Sequence, residues 1–186
     1  MSELVAFVFR DQFRAPEVLN ELRRREWAWV RDLDEAVTVT LNEQGKARVQ
    51  LSVDPLTCQG GGWARLWGSL LSATLFQPMT EVMVAATTGL VLTPNGRHRR
   101  TPENNYSLES EWWCKSLASS SNFKRDVAAL MAPNGSAIFM LFRSQNAATV
   151  LKQLRNYGDT LVHTTLSTEQ DEKLQEMLAT CGEESS

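Results

Sequence analysis

The sequence predicts an α+β fold, a ferredoxin-like sandwich of two βαβ halves with an apolar helical hairpin inserted between them. Three observations lead there. Two wholly apolar runs of strand length, Leu4–Phe9 and Ala137–Phe142, stand near opposite ends of the 186-residue chain. Each is followed by a helical apolar stripe and then by a further strand pattern. Between the halves lies a long apolar stretch, broken at Gln77-Pro78. The expected division is residues 1–54 for the first half with a hairpin strand and 55–94 for the inserted hairpin. Residues 95–121 form a polar linker with a Trp-Trp segment, and 122–186 form the second half with a C-terminal helix.

In the first half, the helix after Leu4–Phe9 opens near Ala15-Pro16-Glu17. Proline suits a first helical turn, and Glu17 suits its positive end. Val18, Leu19, Leu22 and Trp29 or Val30 make the apolar stripe, with Arg23, Arg24 and Arg25 toward its end. A β-hairpin follows: Ala36–Leu41, a turn at Asn42-Glu43-Gln44-Gly45, and Ala47–Val53. Val37, Val39 and Leu41 alternate with threonines, the period-two pattern of a half-buried strand.

The second half repeats the plan. Asn122 caps a short helix, Phe123–Met131, which ends at Pro133-Asn134-Gly135. The Ala137–Phe142 strand leads to a helix marked by Ala147, Val150, Leu151 and Leu154 and stopped at Tyr157-Gly158. Thr160–Leu166 reads as a strand, and Ser167-Thr168-Glu169-Gln170 caps a last helix carrying Leu174, Met177 and Leu178. The halves also echo each other in residues. Ala15, Val18, Leu19, Leu22 and Arg23 correspond to Ala147, Val150, Leu151, Leu154 and Arg155.

The insertion is different in kind. Gly60-Gly61-Gly62 opens a first arm, WARLWGSLLSATLF, and the second arm runs from Met79 to Leu92. Each arm is shorter than the roughly 20 residues of a comfortable membrane span. Arg65 and Glu81 are costly at a bilayer centre. Both arms are rich in small residues that let helices approach closely. Trp63 and Trp67 lie one helical turn apart, a spacing that suits an interfacial anchor or a packed aromatic pair. Three arrangements fit: insertion into or docking on a membrane, a self-association hairpin inside an oligomer, or a hairpin of an ordinary soluble core. The candidate membrane or partner contacts are Trp63, Leu66, Trp67, Leu70, Leu71, Phe76, Met83 and Leu90, joined by Trp112 and Trp113 of the linker. Arg97, Arg99 and Arg100 follow the hairpin directly and are the candidate contacts to anionic headgroups.

Composition sets limits. Hydrophobic residues make 42% and charged residues 22%, which excludes disorder over the whole length. A net charge of -3 provides no basic footprint for nucleic acid. Cys58, Cys114 and Cys181 are dispersed, which argues against a disulfide scaffold or a thiolate zinc site and for a reducing cytoplasm. The start, MSELVAFVFRDQFR, carries Glu3 and a run too short for a signal peptide. Phosphate-cradling loops, HExxH and G-x-S-x-G are absent from the sequence. His163 falls within strand alternation and reads as a half-buried structural or a surface histidine and not as a base, and His98 sits among arginines with nothing to orient it. No cofactor, metal or catalytic residue is expected.

The order of motifs resembles a bacterial family of unknown function, DUF1269, whose members are described as predicted membrane proteins. The matching stretches are Asp32–Val37, Gly61-Gly62-Trp63 through Leu71, Pro133–Phe139 and Thr165–Gln170. The resemblance covers most of the chain outside Gly96–Ser121. It implies a glycine-zipper-like hairpin with membrane association, and it supplies no catalytic residues. Here the hairpin is poorer in glycine, and the tryptophan-bearing linker is longer. The expected function is non-enzymatic: attachment to the inner face of a membrane, or assembly into homo-oligomers, through the apolar hairpin. The alternative is a soluble accessory subunit whose tryptophan-rich hairpin and linker contact a protein partner in a larger complex.

Overall fold

The computed structural model describes residues 2–25, 33–44, 47–51, 63, 66–71, 82–84, 90–92, 112–113, 115–117, 122–143, 147–157 and 160–179. Strand β1 (Ser2–Phe9) is buried along its whole length. Its run of apolar residues explains why: a strand covered on both faces has no need of polar alternation. Strand β6 (Ser136–Arg143) follows the same rule and lies antiparallel beside β1, with Ala6 opposite Phe139. Strand β2 (Leu33–Leu41) flanks β6, and β3 (Ala47–Leu51) pairs with β2 through Val39 and Val49. Strand β7 (Thr160–Thr165) pairs with the other side of β1. These strands form an antiparallel sheet in the order β3-β2-β6-β1-β7. Two three-residue strands, β4 (Val82–Val84) and β5 (Leu90–Leu92), extend it beyond β3, with β4 parallel to β3.

Helix α1 (Arg14–Arg24) connects β1 to the β2 region and buries Ala15, Val18, Leu19 and Leu22. Its start is held from outside the helix. Asp11 Oδ1 accepts from the Phe13 N–H at 2.7 Å, and Ser136 Oγ accepts from the Ala15 N–H at 3.1 Å while donating to the Asp11 carbonyl. The helix ends where Arg25 caps it, so the Trp29 or Val30 end of the expected stripe lies outside the described residues. Helices α2 (Phe123–Leu130), α3 (Ala147–Leu154, continued by a 3-10 turn at Arg155–Tyr157) and α4 (Thr168–Ala179) stand within a residue or two of their predicted places. Ser167 and Gln170 form the predicted capping box: the Ser167 N–H donates to Gln170 Oε1, and the Gln170 N–H donates to Ser167 Oγ.

The sheet is the middle of three layers. On one face, Val5, Phe7, Ile138, Met140 and Phe142 cluster with Val18, Leu19 and Leu22 of α1 and Val150 and Leu154 of α3. On the other face, Leu4, Ala6, Val8, Val37, Val39, Phe139 and Leu141 cluster with Trp63, Leu66, Trp67, Leu70, Leu71, Trp113 and Leu117 and with side chains of α2 and α4. The α+β class is as predicted.

The expected helical hairpin needs correction in its second arm. Residues 82–84 and 90–92 are strands, not helix. Val82, Val84 and Val91 are β-branched and stiff at χ1, which disfavours helix and suits a ladder. The edge of β3 provides that ladder.

The turn into β6 is a point of close approach. Asn134 has φ 61°, in the left-handed region, and the Gly135 N–H closes the turn onto the Ala132 carbonyl at 2.9 Å. A Cβ on Gly135 would lie 2.8 Å from the Ala132 carbonyl oxygen and 3.1 Å from that of Phe9. Both obstacles are backbone, so Gly135→Ala forces the turn to shift. The expected loss is about 1–3 kcal/mol, read from urea unfolding at constant m-value. A loss below about 0.5 kcal/mol would refute the close approach.

Candidate interface: the apolar insertion and the tryptophan layer

Trp63, Leu66, Trp67, Leu70 and Leu71 stand at i, i+3, i+4, i+7 and i+8, the spacing of one helical stripe. Residues 66–71 are helical, and all five side chains are buried, with 1–6% of their surface exposed. They belong to the cluster that covers the second face of the sheet. Ser69 is buried beside them, and its hydroxyl donates to the Leu66 carbonyl at 2.9 Å. A polar group inside an apolar layer is thereby satisfied by its own helix.

The Trp-Trp segment joins the same layer. Trp113 is fully buried, while Trp112 is half-buried and packs against the cluster. Their rings meet edge to face, 4.9 Å between centroids at 85°. Leu117 is buried next along the chain. Ser116 accepts from Gln170 Nε2 at 2.7 Å, which ties this segment to the start of α4. The Nε1 atoms of Trp67 and Trp113 are buried with no hydrogen-bond acceptor. An unpaired buried donor costs about 1–3 kcal/mol, so these rings are held by packing.

Sequence-predicted residues thus fall into three groups. Trp63, Leu66, Trp67, Leu70, Leu71 and Trp113 are brought together, with Trp112 at their rim, and the layer they build faces the sheet. Met83 and Leu90 lie in β4 and β5 at the end of the sheet. Phe76, Arg97, Arg99 and Arg100 lie outside the described residues. Among the described residues, no helix is long and apolar enough to cross a membrane. No group of His, Cys, Asp and Glu among them is placed to hold a metal ion.

Two polar sites were not singled out from the sequence. At the start of β1, Glu3 is buried with 7% exposure; Thr165 Oγ1 donates to its Oε1 at 2.6 Å, and His163 Nδ1 lies 3.6 Å from its Oε2. The sequence showed only a charged residue at the head of one apolar run and a histidine in the alternation of another strand, with nothing to pair them. At the far end of α1, Tyr157 meets Arg25 and Glu21. The Arg25 guanidinium lies 5.4 Å from the ring centroid and bonds Glu21 at 2.6 Å. Burial pushes the Tyr157 hydroxyl above its ordinary value, against the pull of Arg25.

No curated protein and no solved structure matches the chain. Residues 114–179, from the end of the tryptophan segment through α2, β6, α3, β7 and α4, match the family model described as a protein of unknown function (DUF1269), the family that the sequence resembles.

Proposed function

We propose that this chain is a non-enzymatic, self-assembling protein of the cytoplasm, built on a ferredoxin-like core, and that its apolar insertion provides the contact between copies. The strand order β7-β1-β6-β2, with α1 and α3 as crossovers on one face, supports the ferredoxin-like reading. The observation that carries the function is the end of the sheet. Strands β4 and β5 have the sequences Val82-Met83-Val84 and Leu90-Val91-Leu92, with no charge and no proline. Edge strands are ordinarily guarded by charge, proline or a covering element, because an open apolar edge pairs with another chain. Strand β5 is last in the sheet order among the described residues. A second copy fits such an edge by antiparallel pairing. This favours self-association over membrane attachment, because the first arm of the insertion is already committed to the sheet.

Fractionation without detergent, followed by light scattering, tests the proposal. The expected result is a supernatant species at a defined multiple of 20.9 kDa. The double variant Leu90→Lys, Leu92→Lys places two charges on the edge strand and should return the mass to one chain. Recovery in a membrane pellet that resists salt and alkali would replace self-assembly with insertion. A monomer in the wild type would end both readings in favour of an accessory subunit.

A further inference from the structure

We propose that Asn134-Gly135 is a deamidation site held shut by the native turn, and that the isoaspartyl product prevents the turn from closing again. Asparagine is among the thermolabile residues, and before glycine the chain can react with itself. The glycine amide nitrogen attacks Cγ of the asparagine carboxamide. A C–N bond forms, the carboxamide nitrogen leaves as ammonia carrying the amide proton, and a succinimide ring remains. Water then adds at one of the two imide carbonyls. Addition at one gives aspartate. Addition at the other gives isoaspartate, in which the main chain runs through the former side chain. Glycine favours ring closure because it has no Cβ beside the attacking nitrogen. Water is the one co-reactant.

The fold opposes the first of these steps. In Ala132-Pro133-Asn134-Gly135, proline is second and the third residue, Asn134, has φ 61°. The Gly135 N–H donates to the Ala132 carbonyl at 2.9 Å. These are the marks of a type II turn, in which ψ of the third residue stands near 0°. Ring closure requires the Gly135 nitrogen to swing toward Cβ of Asn134 and to give up its proton. That proton is held in the turn's own hydrogen bond, and Gly135 is buried although Asn134 is exposed. The swing is resisted from β2 as well. The Leu41 N–H donates to the Gly135 carbonyl at 2.9 Å, and the Asn134 N–H reaches the Asn42 carbonyl at 3.4 Å. Water already has access to the Asn134 side chain, so opening of the turn limits the reaction.

The two products fit the turn differently. Aspartate leaves the main chain unchanged, and it tolerates the left-handed region as asparagine does. Isoaspartate adds a methylene to the main chain directly before Gly135. There is no room for it: even a Cβ on Gly135 would lie 2.8 Å from the Ala132 carbonyl oxygen and 3.1 Å from that of Phe9. The isoaspartyl chain therefore loses the Gly135–Ala132 bond and shifts Gly135 away from Leu41. Strand β6 begins at the next residue, Ser136, whose Oγ accepts from the Ala15 N–H at the start of α1. An irreversible change at one turn thus reaches the ends of β2, β6 and α1. This is independent of the self-assembly reading.

Incubation of the full chain at mildly alkaline pH, folded and in unfolding concentrations of urea, tests it. Proteolysis separates the peptide containing Asn134 from that containing Asn95, the other Asn-Gly step of the sequence. Mass spectrometry with isoaspartyl methyltransferase labelling then counts both products at Asn134. A synthetic peptide of residues 132–137, measured in both solvents, corrects for urea. Asn134 should react at least about tenfold more slowly in the folded chain, the factor equivalent to ~1.4 kcal/mol of turn opening. Equal corrected rates would overturn the protection. A second measurement reads the product. The chain deamidated in urea is refolded, and its isoaspartyl form is compared with an Asn134→Asp variant treated in the same way. Amides of Leu41 and Gly135 should exchange hydrogen at least about tenfold faster in the isoaspartyl form, while Asn134→Asp exchanges as the wild type does. Equal exchange in the two forms would show that the turn closes over isoaspartate and would overturn that half of the proposal.

Discussion

Replacing Trp113 by alanine should lower the free energy of unfolding by about 3–5 kcal/mol, and Trp67→Ala should do the same. Both rings are among the largest fully buried side chains described, at 0% and 1% exposure. Each fills space between the sheet and the segments that cover it, so truncation removes apolar contact and leaves a cavity that the rigid sheet cannot close. Against a total stability of about 5–15 kcal/mol, either loss brings the fold near its threshold. The phenylalanine variants sharpen the test. Trp→Phe keeps an aromatic ring and deletes an indole N–H that has no acceptor at either position. The smaller ring costs volume, but the unpaired donor disappears, so Trp113→Phe should cost less than half of Trp113→Ala. Urea unfolding followed by circular dichroism measures both. A Trp113→Ala loss under about 1 kcal/mol would mean that the ring is a surface contact and not core.

The sheet was legible because its central strands carry an unambiguous signature. Leu4–Phe9 and Ala137–Phe142 are apolar at every position, and a run of that length buried on both faces is a strand. The two crossover helices were legible from their stripes, whose apolar residues are the ones that meet the sheet. The insertion was half legible. Its first arm has the i, i+3, i+4, i+7, i+8 stripe and is helical at 66–71. The stripe itself could not say whether lipid, a second chain or the protein's own sheet lies opposite, since all three accept an apolar face. The second arm mixes β-branched residues with alanine and glycine, and local propensity there leaves helix and strand close. Tertiary context decided, through the edge of β3. The Glu3–His163 pair was illegible for another reason. Its members are 160 positions apart in sequence (163 minus 3), and only the β1–β7 register brings them to one face.

Deleting Gly60–Pro94 and bridging the ends with a flexible linker should abolish cooperative folding. The sequence suggests that the insertion is separable, because each βαβ half has its own stripe and strands. Its packing argues the opposite. The deletion removes Trp63, Leu66, Trp67, Leu70 and Leu71 from the layer over Leu4, Ala6, Val8, Val37 and Val39. At about 1.5–3 kcal/mol for each large apolar side chain, their burial is comparable to the whole stability of an ordinary domain. That sum is an upper bound, since unfolded chains already bury some surface, yet it leaves no margin for the deletion. The deletion also strips β4 and β5 from β3 and turns β3 into an uncovered edge. The expected product keeps far-UV circular dichroism and loses near-UV signal. It binds a hydrophobic dye and scatters light as an aggregate. The face carrying α1 and α3 should remain the better protected of the two in hydrogen exchange, because its cluster contains nothing from the insertion. A soluble deletion product with one cooperative transition, within about 1 kcal/mol of wild type, would show that the tryptophan layer is an appendage. The apolar stripe of residues 63–71 would then be free to meet a partner after all.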